Sequence, residues 1–181
     1  MGNPSHPKLA LLIVASFSKY PIALEFGCQA MQDLYGPLAL KSESFDHSET
    51  SYYAAEMGTE LRKEFWAFET LIDPALLSDV KLASNAIENQ LSSTGEYSET
   101  RPLNLDSGYI TQSKLVLATT KDRNHRIYLK DGIYAEITLQ WQSKQWKAWP
   151  WTYPDYQRED FHQFFTECRN YLRQQYRTLE S

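Results

Sequence analysis

Five basic side chains crowd one short stretch of this sequence. Lys114, Lys121, Arg123, Arg126 and Lys130 stand against a single acid, Asp122, within residues 114–130, while the whole chain carries a formal net charge of −5. A local cationic excess in an acidic chain points to a small anion and argues against wholesale wrapping of nucleic acid. Thr119 and Thr120 stand just before Lys121. Hydroxyls, arginine and lysine together suit phosphate, because a guanidinium donates a two-pronged fork and an ammonium a mobile point charge. The ligand-binding candidates are Lys114, Lys121, Arg123, Arg126 and Tyr128. Tyr128 shares a strand face with Arg126, so a base or ribose can rest there. His125 is the candidate proton donor. Asp106 and Glu136 are the candidates to orient a ligand or to hold a divalent cation such as magnesium. The plain alternative is a solvated loop in which Arg126 pairs with Glu136.

Other chemistries lack their motifs. There is no Gly-x-x-x-x-Gly-Lys-Ser/Thr loop and no Gly-x-Gly-x-x-Gly turn, so a phosphate loop or dinucleotide fold is disfavoured. The four histidines and two cysteines form no His-x-x-x-His or Cys-x-x-Cys pair, which excludes a standard structural zinc site. No Gly-x-Ser-x-Gly elbow marks a hydrolase. Asp106-Ser107-Gly108-Tyr109 reads as a strand-to-helix turn whose backbone N–H groups can face an anion. The aromatic and proline cluster of residues 149–156 is the basis of a rival reading. It would make the chain a non-enzymatic protein- or RNA-interaction module.

The elements that must position these residues follow from periodicity and punctuation. Residues 9–15 form an apolar run suited to a buried strand. Pro21 opens a helix with Ala23, Phe26, Gly27, Ala30, Met31 and Leu34 at helical spacing, and Gly36-Pro37 stops it. Residues 38–45 and 64–72 read as strands, with a short helix near residues 52–57 in the insertion between them. Asp73-Pro74 starts a second long helix whose stripe is Leu76, Leu77, Val80, Ala83, Ile87 and Leu91. Residues 103–110 give a fourth strand, and residues 111–120 a short apolar helix. In the hairpin of residues 125–139, a three-residue loop Lys130-Asp131-Gly132 pairs Leu129 with Ile133, Ile127 with Ala135 and Arg126 with Glu136. That register keeps one apolar face and places Gly132 in the left-handed region. A last helix starts after Asp155 with Phe161, Phe164, Phe165, Cys168, Tyr171, Leu172 and Leu179 on its apolar face.

The predicted fold is α+β, with residues 1–181 as one domain. A ferredoxin-like βαββαβ unit spans 8–110. A short helix plus antiparallel β-meander spans 111–154, and a C-terminal helix spans 155–179. Hydrophobic residues at 42% of the 181 supply the core such a domain needs. Cys28 and Cys168 fall in separate predicted helices, which suits two buried free thiols and a cytoplasmic location. No apolar run approaches the length of about 20 residues that a membrane span needs.

Several segments together resemble one family. They are Tyr52-Tyr53-Ala54-Ala55-Glu56-Met57-Gly58, Leu71-Ile72-Asp73-Pro74, Asn104-Leu105-Asp106-Ser107-Gly108-Tyr109, and Lys114 through Asp122. The others are His125-Arg126-Ile127-Tyr128-Leu129, Gly132-Ile133-Tyr134-Ala135-Glu136 and Trp149 through Tyr156. These are similar to an uncharacterised bacterial and archaeal family, domain of unknown function 4416, over about residues 8–176. The resemblance implies a stand-alone soluble domain and supplies no catalytic residues. It concentrates the family's polar positions on Asp106, Lys114, Lys121, His125, Arg126 and Glu136. Ser107 stands where the family has proline, which implies a looser turn after Asp106.

Overall fold

The structure, a computed structural model, describes residues 2–47 and 54–179. Nine strands form one sheet. They are β1 (Ala10–Ser18), β2 (Leu38–Lys41), β3 (Phe45–Asp46), β4 (Arg62–Ile72), β5 (Asn104–Ile110), β6 (Lys114–Thr119), β7 (Ile127–Lys130), β8 (Ile133–Gln142) and β9 (Gln145–Ala148). The main path runs β2-β4-β1-β5-β6-β8-β7, with β3 on β4 and β9 on β8. Every pairing is antiparallel. Helices α1 (Pro21–Tyr35) and α3 (Leu77–Ser93) are the long N-terminal ones, α2 (Ala54–Met57) is a single turn, and α4 (Glu159–Leu179) closes the chain.

Both faces of the central strands are covered, which explains the unbroken apolar run of β1. Leu12 and Val14 pack toward α1 and α3 with Met31, Val80 and Leu105. Leu11, Ile13 and Ala15 pack toward α4 with Phe65, Phe161 and Phe165. Phe65 is the hub of that second core, with ring centroids 4.7 Å from Phe161 and 5.0 Å from Phe165. Asp73 caps the turn Pro74–Leu76 by accepting from the Ala75 N–H at 2.9 Å, and α3 follows. Leu34, Leu76 and Leu179, assigned to apolar stripes by spacing, are exposed instead. Tyr176 takes the buried place near the end of α4.

Four expectations are corrected. The segment after Thr111 is strand β6, not a helix. Leu115 and Leu117 face α4, while Val116 and Ala118 pack beside Leu77 of α3, so burial on both faces erases the alternation that marks a strand. Asp106-Ser107-Gly108-Tyr109 is accordingly not a turn; it lies inside β5, where Ser107 pairs with Val14. Residues 38–45 break into β2 and β3. The β7–β8 hairpin closes with a two-residue turn, Asp131-Gly132, both at positive φ (53° and 78°), and Lys130 pairs with Ile133. A register shift between Tyr128 and Lys130 then restores Ile127 opposite Ala135. The Ile127–Ala135 and Tyr128–Tyr134 pairings hold, but Leu129 does not pair with Ile133, β7 is exposed throughout, and the irregularity sits at Leu129 and not in the loop. The helix expected near residues 52–57 is described only from Ala54; residues 48–53 lie outside the described residues.

One irregularity of the sheet positions everything that follows. β5 pairs with β1 along its whole length, from Leu11–Ile110 to Phe17–Asn104. It pairs with β6 only at Gly108, Tyr109 and Ile110. Gly108 makes that junction possible, because a Cβ there would lie 2.3 Å from the Val116 carbonyl oxygen. Beyond the junction the two strands part. The β5 backbone groups that lose a strand partner are met by α3 side chains. Glu88 Oε1 accepts from the Leu105 N–H at 2.7 Å, and Lys81 Nζ donates to the Leu105 carbonyl at 2.7 Å. Backbone polar groups at this depth need partners, so a charged pair on α3 stands where β6 would otherwise run.

Candidate functional site

The fork between β5 and β6 opens into a cavity of about 520 Å³. Six Lys or Arg side chains line it against three Asp or Glu. Its walls come from strand residues Lys63, Asn104 and Asp106, from α3 (Lys81, Asn85), from the end of β6 and the loop after it (Thr119, Thr120, Lys121, Arg123) and from Tyr153–Tyr156. Two lysines are buried in these walls, and each is built differently.

Lys63 donates to Asp155 Oδ2 at 2.5 Å, and its ammonium stands 4.5 Å from the Tyr156 ring centroid. His47 Nδ1 is 3.8 Å from the same carboxylate oxygen. Burial alone would raise the Asp155 carboxyl pKa, but the Lys63 charge and hydrogen bond, aided by His47, hold it below the ordinary value. Lys81 has no such close partner. Besides its bond to the Leu105 carbonyl, its Nζ is 3.6 Å from Asp106 Oδ1 and 4.0 Å from Glu88 Oε1. Glu88 accepts from Arg101 Nη2 at 3.0 Å, yet burial outweighs the neighbouring cations and raises its pKa. Arg101 also donates to Asn104 Oδ1. Asn104 is only 1% exposed, and its Nδ2 finds no partner among the described residues.

At the mouth, Arg126 is fully engaged by the protein. Its Nε donates to Glu136 Oε2 at 2.7 Å, Nη1 to the Lys121 carbonyl at 2.9 Å and Nη2 to the Tyr153 hydroxyl at 3.3 Å. These bonds tie the loop that carries Lys121 and Arg123 to β8 and to the C-terminal segment. The expected pairing of Arg126 with Glu136 is therefore present. His125 Nε2 lies 3.2 Å from the same Glu136 oxygen, and its ring stacks on Trp151 at 5.2 Å. Trp151 stacks in turn on Trp149 at 5.1 Å.

Of the eight residues picked from the sequence, Asp106, Lys121, Arg123, Arg126 and Glu136 line one cavity. His125 stands behind Glu136. Lys114 is at the opposite end of β6, beside Gln140, and Tyr128 projects from the outer hairpin next to Tyr134. The sequence reading missed Lys63, Lys81, Arg101 and Asn104. A signal for two of them was present. Lys81 and Glu88 fall on the same helical stripe as Leu77, Val80, Ile87 and Leu91, and Lys63 alternates with Phe65 and Ala67 on an apolar strand face. A charge at a core position is rarely idle. Among the described residues no cluster of three His, Cys, Asp or Glu is placed to hold a metal ion, and no helix is long and apolar enough to cross a membrane. Cys28 and Cys168 are both buried free thiols.

The chain matches the model of the family described as Domain of unknown function (DUF4416) over residues 7–171, and it belongs to that family. No curated protein and no solved structure matches it.

Proposed function

We propose that this DUF4416 member binds a phosphate-bearing small molecule in the cavity between β5 and β6, with the phosphate at the mouth formed by the loop after β6. The observation that carries the reading is the cavity's cationic lining around an uncommitted donor. Lys81 and Arg101 add positive charge at depth, and Asn104, whose Nδ2 has no partner among the described residues, is one of the lining side chains. Lys121 and Arg123, with the Thr119 and Thr120 hydroxyls, are the groups that meet the phosphate. Arg126 is the tether that holds their loop, and His125 supports the same tether through Glu136. A volume of about 520 Å³ suits a metabolite or a nucleotide. The order β2-β4-β1-β5, with α1 and α3 on one face, is what supports reading this half as a ferredoxin-like unit. The interaction-module reading has less behind it. Tyr153, Pro154, Asp155 and Tyr156 face the cavity, and the Trp151 indole N–H donates to the Ile137 carbonyl.

Calorimetric titration with inorganic phosphate and with phosphate monoesters tests the proposal. Binding is expected to weaken as salt rises. Arg123→Ala is expected to cost about 1.5–3 kcal/mol of binding, the scale of a charge-assisted hydrogen bond. Absence of binding by every phosphate compound at millimolar concentration overturns it.

A further inference from the structure

The cationic mouth reads a charge, but the groups on the β5 side of the cavity are of another kind. Asn104 and Asp106 are two residues apart on β5, so their side chains share one face roughly 7 Å apart. Asn85 stands on α3 one turn beyond Lys81, and all three line the cavity. Asp106 is the one lining carboxylate without a hydrogen bond from the described residues. Asp155 is held by Lys63 and Glu136 by Arg126, whereas the nearest cation to Asp106 is Lys81 at 3.6 Å. The Asp106 side chain is 32% exposed and lines the cavity. Extending the Gly108–Leu117 register past the fork sets Thr119 opposite Asp106 and Lys121 opposite Asn104. The phosphate-attracting groups and the carboxylate-carboxamide set therefore face each other across the gap. Phosphate itself is repelled by Asp106. A carboxylate with free lone pairs accepts from hydroxyl groups, and carboxamides serve hydroxyls as both donor and acceptor.

Resting on the phosphate reading above, we infer that the ligand is a hydroxylated phosphate ester, a sugar phosphate or a ribonucleotide. Its phosphate meets Lys121 and Arg123, and a neighbouring hydroxyl donates to Asp106. Asp106 is then the residue that selects hydroxylated esters over simple ones.

Titration calorimetry on the full chain with butyl phosphate, ribose 5-phosphate and adenosine monophosphate tests this. Wild type is expected to bind at least one hydroxylated ester about tenfold or more tighter than butyl phosphate, the scale of one hydrogen bond to a charged acceptor. Asp106→Asn is expected to close most of that gap while leaving butyl phosphate binding equal or tighter, since a repelling charge is gone. Whichever hydroxylated ester binds tighter identifies the source. Equal wild-type affinity for all three esters overturns the inference and leaves the phosphate reading standing, and it needs no variant to be seen. A gap that persists in Asp106→Asn overturns the role of Asp106. Failure of all three esters and of inorganic phosphate to bind overturns both readings.

Discussion

Two lysines are buried within one cavity wall, and the fold treats them in opposite ways. Lys63 is closed off: a carboxylate at 2.5 Å, four aromatic rings within 5.7 Å, and an acid whose pKa is drawn down by the pairing. Lys81 is left open. Its carboxylates stand at 3.6 and 4.0 Å, its shortest bond goes to a backbone carbonyl, and Glu88 has its pKa raised because burial outweighs its partners. A buried charge with a tight partner has little left for a ligand. One whose carboxylate partners stand back, as at Lys81, is less fully compensated within the protein. The closed pair anchors the C-terminal segment to the sheet, and the open set faces the space where the sheet has parted.

The largest effect separates them most sharply. Asp155→Ala leaves the Lys63 ammonium buried among aromatic rings with no carboxylate, and loss of one partner of such a pair costs about 3–5 kcal/mol. Urea denaturation measures it. Lys63→Met combined with Asp155→Leu removes both charges and is expected to recover most of that loss. An Asp155→Ala protein as stable as wild type would place Lys63 in water and end the contrast.

A step down in size, the junction that opens the cavity is itself testable. A Cβ at Gly108 would lie 2.3 Å from the Val116 carbonyl oxygen and 2.7 Å from Leu117 Cδ2. Backbone cannot yield there without the strands separating further, so Gly108→Ala is expected to cost about 1–3 kcal/mol. Faster amide exchange at Val116 and Ile110 would accompany it. The control is Gly132→Ala. That position has φ 78° but nothing within 4 Å of the added carbon, so only the left-handed strain counts, about 1 kcal/mol. Equal costs at the two glycines would mean that the fork is not held by close approach.

These contrasts also show what a reader of the sequence could and could not see. β1, α1, α3 and α4 were legible because long apolar periodicities and proline starts are local signals. The Arg126–Glu136 pairing was legible because strand alternation fixes faces. β6 was not, since helices cover both of its sides and an apolar run of that length suits either a helix or a strand. The mouth of the cavity was visible as a cluster of charge. The depth of it was not. The role of Lys81 and Glu88 becomes clear only once β5 is known to lack a β6 partner at Leu105, and that is a property of the sheet and not of any window of sequence.

The smallest predicted effect is a matter of sign. Asp155 has a folded pKa below its ordinary 3.8, so its contribution is present above that value and is lost as pH falls through the folded one. Glu88 has a folded pKa above its ordinary 4.5. Its folded state holds the proton more tightly than the unfolded state, so stability falls as pH rises from about 4.5 through the folded value. The two regions therefore oppose each other. The cost of Asp155→Asn relative to wild type is expected to be greatest near neutral pH and to shrink as the solution becomes strongly acidic. The cost of Glu88→Gln is expected to run the other way, greatest below about pH 4.5 and smallest near neutrality, the change amounting to about 1.4 kcal/mol for each unit of pKa displacement. Denaturation of the three proteins at about pH 3, 5 and 7 reads both slopes at once. Parallel slopes would mean that Glu88 is as well compensated as Asp155. The Lys81 side of the cavity would then be a second closed pair and not the less compensated half.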